Sequence, residues 1–163
     1  MPEVLPALRF GCRDRAIGLG HPSNLGVLGP DHERRVRDAV DRLIPDVAGD
    51  GVARADVIIE AIFENADAKR TLFAALERRA KPEAILATNT SSIPLEEIAT
   101  ALPDPTRLIG LHFFNPVARM MLVEIVVGRQ TQEALVPRAA AFVRQIDRLP
   151  LPVKSAPGFL VNR

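Results

Sequence analysis

His112 and Glu124 are the side chains in this sequence best suited to acid–base chemistry. His112 stands in GLHFFNP, after Leu108, Ile109 and Leu111 and before Phe113, Phe114 and the pair Asn115-Pro116. The apolar run predicts a buried strand and Asn-Pro a turn. The imidazole then sits where a strand ends, a usual place for sites in open α/β sheets. An imidazole titrates near neutrality and can take a proton from an alcohol. It works best when a second group fixes its tautomer. Glu124 can do so, because an acid flanked by Leu122, Val123, Ile125 and Val126 is costly to bury unpaired. Twelve residues separate the two, enough for a turn and a return strand. Spacing alone favours a plainer account, a satisfied core histidine and an exposed strand glutamate, because neither spacing is diagnostic.

The elements around the pair predict an α/β domain. Residues 55–63 (ADVIIEAIF) are a near-continuous apolar run, the mark of a strand covered on both faces. Glu60 interrupts it, and Glu64 with Asn65 ends it. Residues 67–80 predict an amphipathic helix with Leu72, Phe73 and Leu76 inward and Lys69, Arg70, Arg78 and Arg79 outward. A short strand follows over 84–88. Ser92 is placed to cap the next helix, which carries Pro94, Glu96 and Glu97 in its first turn and runs to about Leu102. Strands over 108–112 and 122–127 come next, then a helix over 131–148 whose regular part Pro137 delays. A last strand covers 151–154, and Pro157-Gly158 makes a turn. Alternating strand and helix predicts a parallel, doubly wound sheet. Its strand ends at Glu64, residues 88–91 and His112 then fall on one rim.

The front of the chain is less regular. A helix is expected from Asp31, as its cap, through Val36, Val40, Leu43 and Ile44, with no strand upstream. Residues 1–40 are read as an irregular or divergent segment, and 41–163 as the α/β part. GLGHPSNLG (residues 18–26) is not a dinucleotide fingerprint: the third glycine of G-x-G-x-x-G is missing, and CRDRAI before it is no buried strand. No acid follows a second strand about 20 residues later, where a ribose contact is expected.

Composition narrows the function classes. The net charge is +1, from 21 basic and 20 acidic residues, so no basic field argues for nucleic acid. The single Cys12 excludes an internal disulfide and fits a reducing compartment. MPEVLPALRF is no signal peptide, and no run approaches the ~18 apolar residues of a membrane span. A cytoplasmic protein that binds no membrane is expected. The three histidines lie far apart in sequence and predict no metal site.

NTSS, GLHFFNPV, LVEIV and PGFLVNR, in this order and at this spacing, resemble the L-3-hydroxyacyl-CoA dehydrogenase family, including the dehydrogenase portion of multifunctional fatty-acid oxidation proteins. The resemblance runs from about residue 42 to 163, and four motifs in register make it specific. It implies a partial Rossmann-like parallel sheet, with the first βαβ unit and its glycine fingerprint missing or replaced, and a chain truncated at both ends. The implied activity is NAD-dependent oxidation of L-3-hydroxyacyl-CoA to 3-oxoacyl-CoA in fatty acid β-oxidation. His112 would be the general base and Glu124 its partner, a reading that with the resemblance outweighs the core histidine. Ser91 would bond the substrate oxygen near the nicotinamide, and Asn162 would touch substrate. Ile62, Phe63, Glu64, Lys69, Asn89, Ser91 and Asn115 would lie on the NAD side. Lys69 alone, without the family, reads as a solvated helix lysine. The expected partners are an acyl-CoA substrate and a homo-oligomer mate or a second chain supplying missing segments. The alternative is a non-catalytic remnant that keeps the site residues and binds no cofactor.

Overall fold

The computed structural model describes residues 7–10 and 30–161. The chain divides into two compact units, Met1–Gly51 and Val52–Arg163. The first unit contains β1 (Ala7–Phe10), α1 (Pro30–Val40) and β2 (Leu43–Asp46). β1 and β2 pair antiparallel, from Ala7 opposite Asp46 to Phe10 opposite Leu43. Three expectations are corrected here. A strand lies upstream where none was read, and Leu43 and Ile44 belong to β2 rather than to the helix. Pro45 explains the second: the residue before a proline is driven towards extended backbone, and a helix cannot run through the ring. α1 opens on Pro30, a favoured first helical residue, so Asp31 lies inside the first turn and is not the cap. Residues 18–26 lie outside the described residues.

The second unit is a sheet of five strands in the order β3 (Val57–Glu60), β4 (Ile85–Thr88), β5 (Leu108–Phe113), β6 (Leu122–Val127) and β7 (Leu149–Lys154). β3, β4 and β5 run parallel, β6 runs antiparallel to β5, and β7 parallel to β6. The sheet is mostly parallel and Rossmann-like, as expected, with one antiparallel pair: the loop after His112 is too short for a crossover helix and returns the chain as a hairpin. The first strand is also shorter than its apolar run, ending at Glu60.

Helices cover both faces. α4 (Leu135–Gln145) packs Leu135, Ala139 and Val143 against Ile85, Ala87, Ile109, Leu111, Val123 and Ile125. It starts late, as Pro137 in its first turn requires. On the opposite face α2 (Ala66–Glu77) and α3 (Leu95–Ala99) bring Phe73, Leu95 and Ile98 against Leu86, Leu108 and Val126. Asn65 caps α2 by accepting from the Ala68 N–H at 2.9 Å. The first N–H of α3, that of Leu95, is accepted by the Ser155 hydroxyl at 3.1 Å, and the Ser92 hydroxyl instead donates to Glu64 at 3.1 Å, which corrects the expected cap.

Strand alternation decides what faces these layers. On the α2/α3 side the strands carry Ile58, Leu86, Leu108 and Val126, and in the same alternation Glu60, Thr88, His112 and Glu124. All four polar residues are buried. One end of one sheet face is thus polar, while the rest of that face is hydrocarbon.

Candidate active site

The His112–Glu124 pair follows from the hairpin. β5 and β6 place the two residues directly opposite each other in register. Their side chains meet with Nδ1 2.7 Å from Oε2. The histidine is 3% exposed and the glutamate 0%. The other carboxylate oxygen, Oε1, accepts the Leu160 and Val161 N–H groups, each at 3.0 Å. Three donors on one buried carboxylate offset its desolvation. With Nδ1–H donated to Glu124, Nε2 is the ring nitrogen left to accept a proton.

Two phenylalanines hold the ring from its sides. Phe114 lies 4.5 Å away between centroids and Phe159 5.4 Å, the latter nearly edge-on. Phe159 is 2% exposed and has φ 51°, a left-handed backbone that a bulky residue adopts at a cost of about 1–3 kcal/mol. That turn aims the two following N–H groups at Glu124. The sequence reading did not single out Phe159; its place after Pro157-Gly158 was the available signal.

A second polar cluster lies at the ends of β3 and β4. Glu60 Oε1 accepts from the Ile62 N–H and from Lys69 Nζ, both at 2.7 Å, and its Oε2 accepts from the Thr88 hydroxyl at 2.7 Å. Lys69 is 1% exposed, because α2 turns it inward onto Glu60, the Ile62 carbonyl at 3.2 Å and Glu64 at 3.4 Å. The solvated-lysine expectation is corrected: a buried carboxylate beneath the helix requires a cation, and Lys69 supplies it. Its three N–H donors match these three partners.

Glu64 holds the loop that carries Ser91. Its Oε1 accepts from the Thr90 hydroxyl at 2.5 Å, from the N–H groups of Ser91 at 2.9 Å and Ser92 at 3.0 Å, and from the Ser92 hydroxyl. Partial burial alone would raise its carboxyl. The hydrogen bonds from Thr90, Ser91 and Ser92, with the Lys69 ammonium, outweigh that and lower it from 4.5 to about 2. Asn89 ties the loop to the next strand, its N–H on the Glu60 carbonyl at 2.8 Å and its Oδ1 accepting the Phe113 N–H at 2.9 Å.

The structure therefore brings His112 to Glu124, and Glu64 to Ser91, Lys69 and the Ile62 main chain by way of Glu60. Ser91 is exposed, and its hydroxyl has no hydrogen-bond partner among the described residues. Asn115 is exposed in the hairpin loop, and Phe63 is 64% exposed beside Glu64. Asn162 lies outside the described residues. Glu60, Thr88 and Thr90 were not read as site residues. Glu60 carried a signal, an acid in an apolar run, the same reason that selected Glu124.

Ser91, Asn115 and Phe63 supply exposed hydroxyl, amide and apolar groups, and the His112 imidazole is buried, a set whose chemistry suits the nicotinamide end of a dinucleotide. It does not offer a diphosphate cradle at the Ser91–Ser92 N–H groups, because Glu64 already occupies them.

The family described as "3-hydroxyacyl-CoA dehydrogenase, NAD binding domain" matches residues 26–156, beginning earlier than the motif reading did. Among solved structures, FadB2 of M. tuberculosis is 36% identical with a TM-score of 0.77, over 80% of this chain and 46% of that one. (S)-3-hydroxybutyryl-CoA dehydrogenase PaaH1 from Ralstonia eutropha is 36% identical with a TM-score of 0.76, over the same shares, 80% and 46%. 3-Hydroxybutyryl-CoA dehydrogenase from Escherichia coli K12 is 38% identical with a TM-score of 0.75, over 78% of this chain and 27% of that one. The chain thus spans less than half the length of these relatives. On the family match and these likenesses, the chain belongs to the 3-hydroxyacyl-CoA dehydrogenase NAD-binding domain family.

Proposed function

We propose that this chain carries the acid–base side of an NAD-dependent oxidation of L-3-hydroxyacyl-CoA to 3-oxoacyl-CoA, a step of fatty acid β-oxidation in the cytoplasm. The observation that carries this reading is the buried His112–Glu124 pair at the end of β5, with Nδ1 committed to the carboxylate. Nε2 of His112 takes the proton of the 3-hydroxyl, and the resulting imidazolium is stabilised by Glu124. NAD, when bound, supplies the acceptor for the hydride that leaves C3. The exposed Ser91 hydroxyl bonds the substrate oxygen and keeps it within reach of His112, with Asn162 as a further substrate contact. Asn89, Asn115, Ile62 and Phe63 line the nicotinamide side, where apolar groups and Phe114 keep water from the reacting carbon. Glu64 and Lys69 serve that side by shaping the loop.

A second reading is favoured by GLGHPSNLG, which lacks the third glycine of a diphosphate-binding turn. In it the chain keeps the site residues but needs a partner chain to hold NAD, or holds none. A titration of the purified protein into NADH, followed by cofactor fluorescence, separates the two. The protein has no Trp or Tyr, so its own emission is small. Saturable binding, followed by turnover of acetoacetyl-CoA, supports the enzyme reading. Absence of binding overturns it for the chain alone.

A further inference from the structure

We propose that Glu60 is a positioning residue that sets the loop carrying Ser91, acting through two arms. The inference rests on the reading of Ser91 as a substrate contact. Glu60 lies at the end of β3 and is 3% exposed, with no described route to substrate. Its partners nevertheless converge on one loop.

The first arm passes through Thr88. Glu60 Oε2 accepts a hydrogen bond from the Thr88 hydroxyl at 2.7 Å, which orients that oxygen to accept the Thr90 N–H at 3.2 Å. The second arm passes through Lys69. Glu60 Oε1 fixes the ammonium at 2.7 Å, and the ammonium faces Glu64 Oε2 at 3.4 Å. Held there, Glu64 turns its other oxygen to Thr90, Ser91 and Ser92. The Asn89 N–H on the Glu60 carbonyl anchors the start of the same loop.

The chemistry explains why an acid is needed at this position. A neutral side chain would leave Lys69 as a buried cation whose remaining carboxylate partner is Glu64. The ammonium would then draw Glu64 inward and away from the loop N–H groups. The Ser91 hydroxyl, which has no partner of its own among the described residues, depends on that backbone for its direction.

Amide hydrogen exchange by NMR on the full chain tests this without requiring turnover. Glu60→Gln keeps the shape and removes the charge. The Ser91 and Ser92 amides should then exchange roughly tenfold faster, the loss of one charge-assisted hydrogen bond, while Ile109 and Ile125 keep their protection. Unchanged exchange at Ser91 and Ser92 overturns the proposal, as does an equal rise across β5 and β6. Thr88→Val cuts one arm only and provides the control if Glu60→Gln does not fold. It should speed the Thr90 amide and spare Ser92; an unaffected Thr90 overturns that arm. Turnover of Ser91→Ala tests the underlying reading separately. Full activity there, with loop exchange still governed by Glu60, keeps the relay and removes the substrate role of Ser91.

Discussion

His112 and Glu124 face each other across an antiparallel hairpin, with Nδ1 2.7 Å from Oε2 and both side chains out of water. Their twelve-residue separation is therefore a register, not a coincidence of spacing. In the proposed reaction His112→Ala should lower turnover by roughly 10²–10⁴-fold, the usual worth of a positioned base. NADH binding should stay near normal. Glu124→Gln should cost a similar factor, because an amide N–H facing Nδ1 selects the other tautomer and protonates the nitrogen that must act as base. Steady-state kinetics with acetoacetyl-CoA and NADH checks both. Undiminished turnover in either variant would remove that residue from the mechanism.

Glu64 predicts a pH dependence of stability. Its carboxyl titrates at about 2 in the folded chain, below the ordinary 4.5. A lowered folded value means the contribution is present above pH 4.5 and is lost as pH falls towards 2. Wild type should therefore be more stable than Glu64→Gln at pH 7, with the gap closing between pH 4.5 and 2. The glutamate side chain is 38% exposed, so solvent screening keeps the gap to about 1 kcal/mol or less. Far-ultraviolet circular dichroism melts over that range would show it. A gap independent of pH would mean that the charge of Glu64 contributes nothing.

Lys69 predicts a larger effect. Replacing it by Met leaves Glu60 as a buried carboxylate without its cation, which costs about 3–5 kcal/mol. Adding Glu60→Gln to Lys69→Met should recover part of that loss, since the uncompensated charge is gone. Urea denaturation of wild type, Lys69→Met and the double variant reads both numbers. A double variant less stable than Lys69→Met would mean that Glu60 stabilises the fold through Thr88 and Ile62 and not through the ion pair.

Much of the sheet was legible because its cause is local. Apolar runs at 57–60, 85–88, 108–113 and 122–127 specify strands, and Pro137 fixes where α4 becomes regular. His112 and Glu124 stood out for the same reason, as polar residues inside such runs, although spacing alone favoured an exposed glutamate and the structure buries it. What was not legible depends on partners distant in sequence. Lys69 looks solvated until α2 is packed over Glu60, and Ser92 looks like a cap until Glu64 reaches it across the loop. β1 gains its strand character from pairing with β2, a contact no single window contains. The left-handed turn at Phe159 is similar: its reason is Glu124, thirty-five residues earlier.

Gly110 is the last residue whose requirement appears only in three dimensions. It lies in β5 directly opposite Val126 of β6, on the face that carries His112 two residues later. A Cβ built there would stand 2.6 Å from Val126 Cβ and 3.0 Å from its Cγ2. Val126 is fully buried in the cluster with Phe73 and Leu108, so it can retreat only by displacing packed side chains. Gly110→Ala must therefore push β5 from β6, an overpacking cost of about 1–3 kcal/mol. The same displacement separates His112 from Glu124, so turnover should fall by more than the stability loss explains. Gly110→Ala combined with Val126→Ala frees the space and should restore part of both. Urea midpoints and acetoacetyl-CoA kinetics on the single and double variants make the test. A single variant as stable as wild type would show that the hairpin yields without cost, and that the close approach at Gly110 does not hold the pair in place.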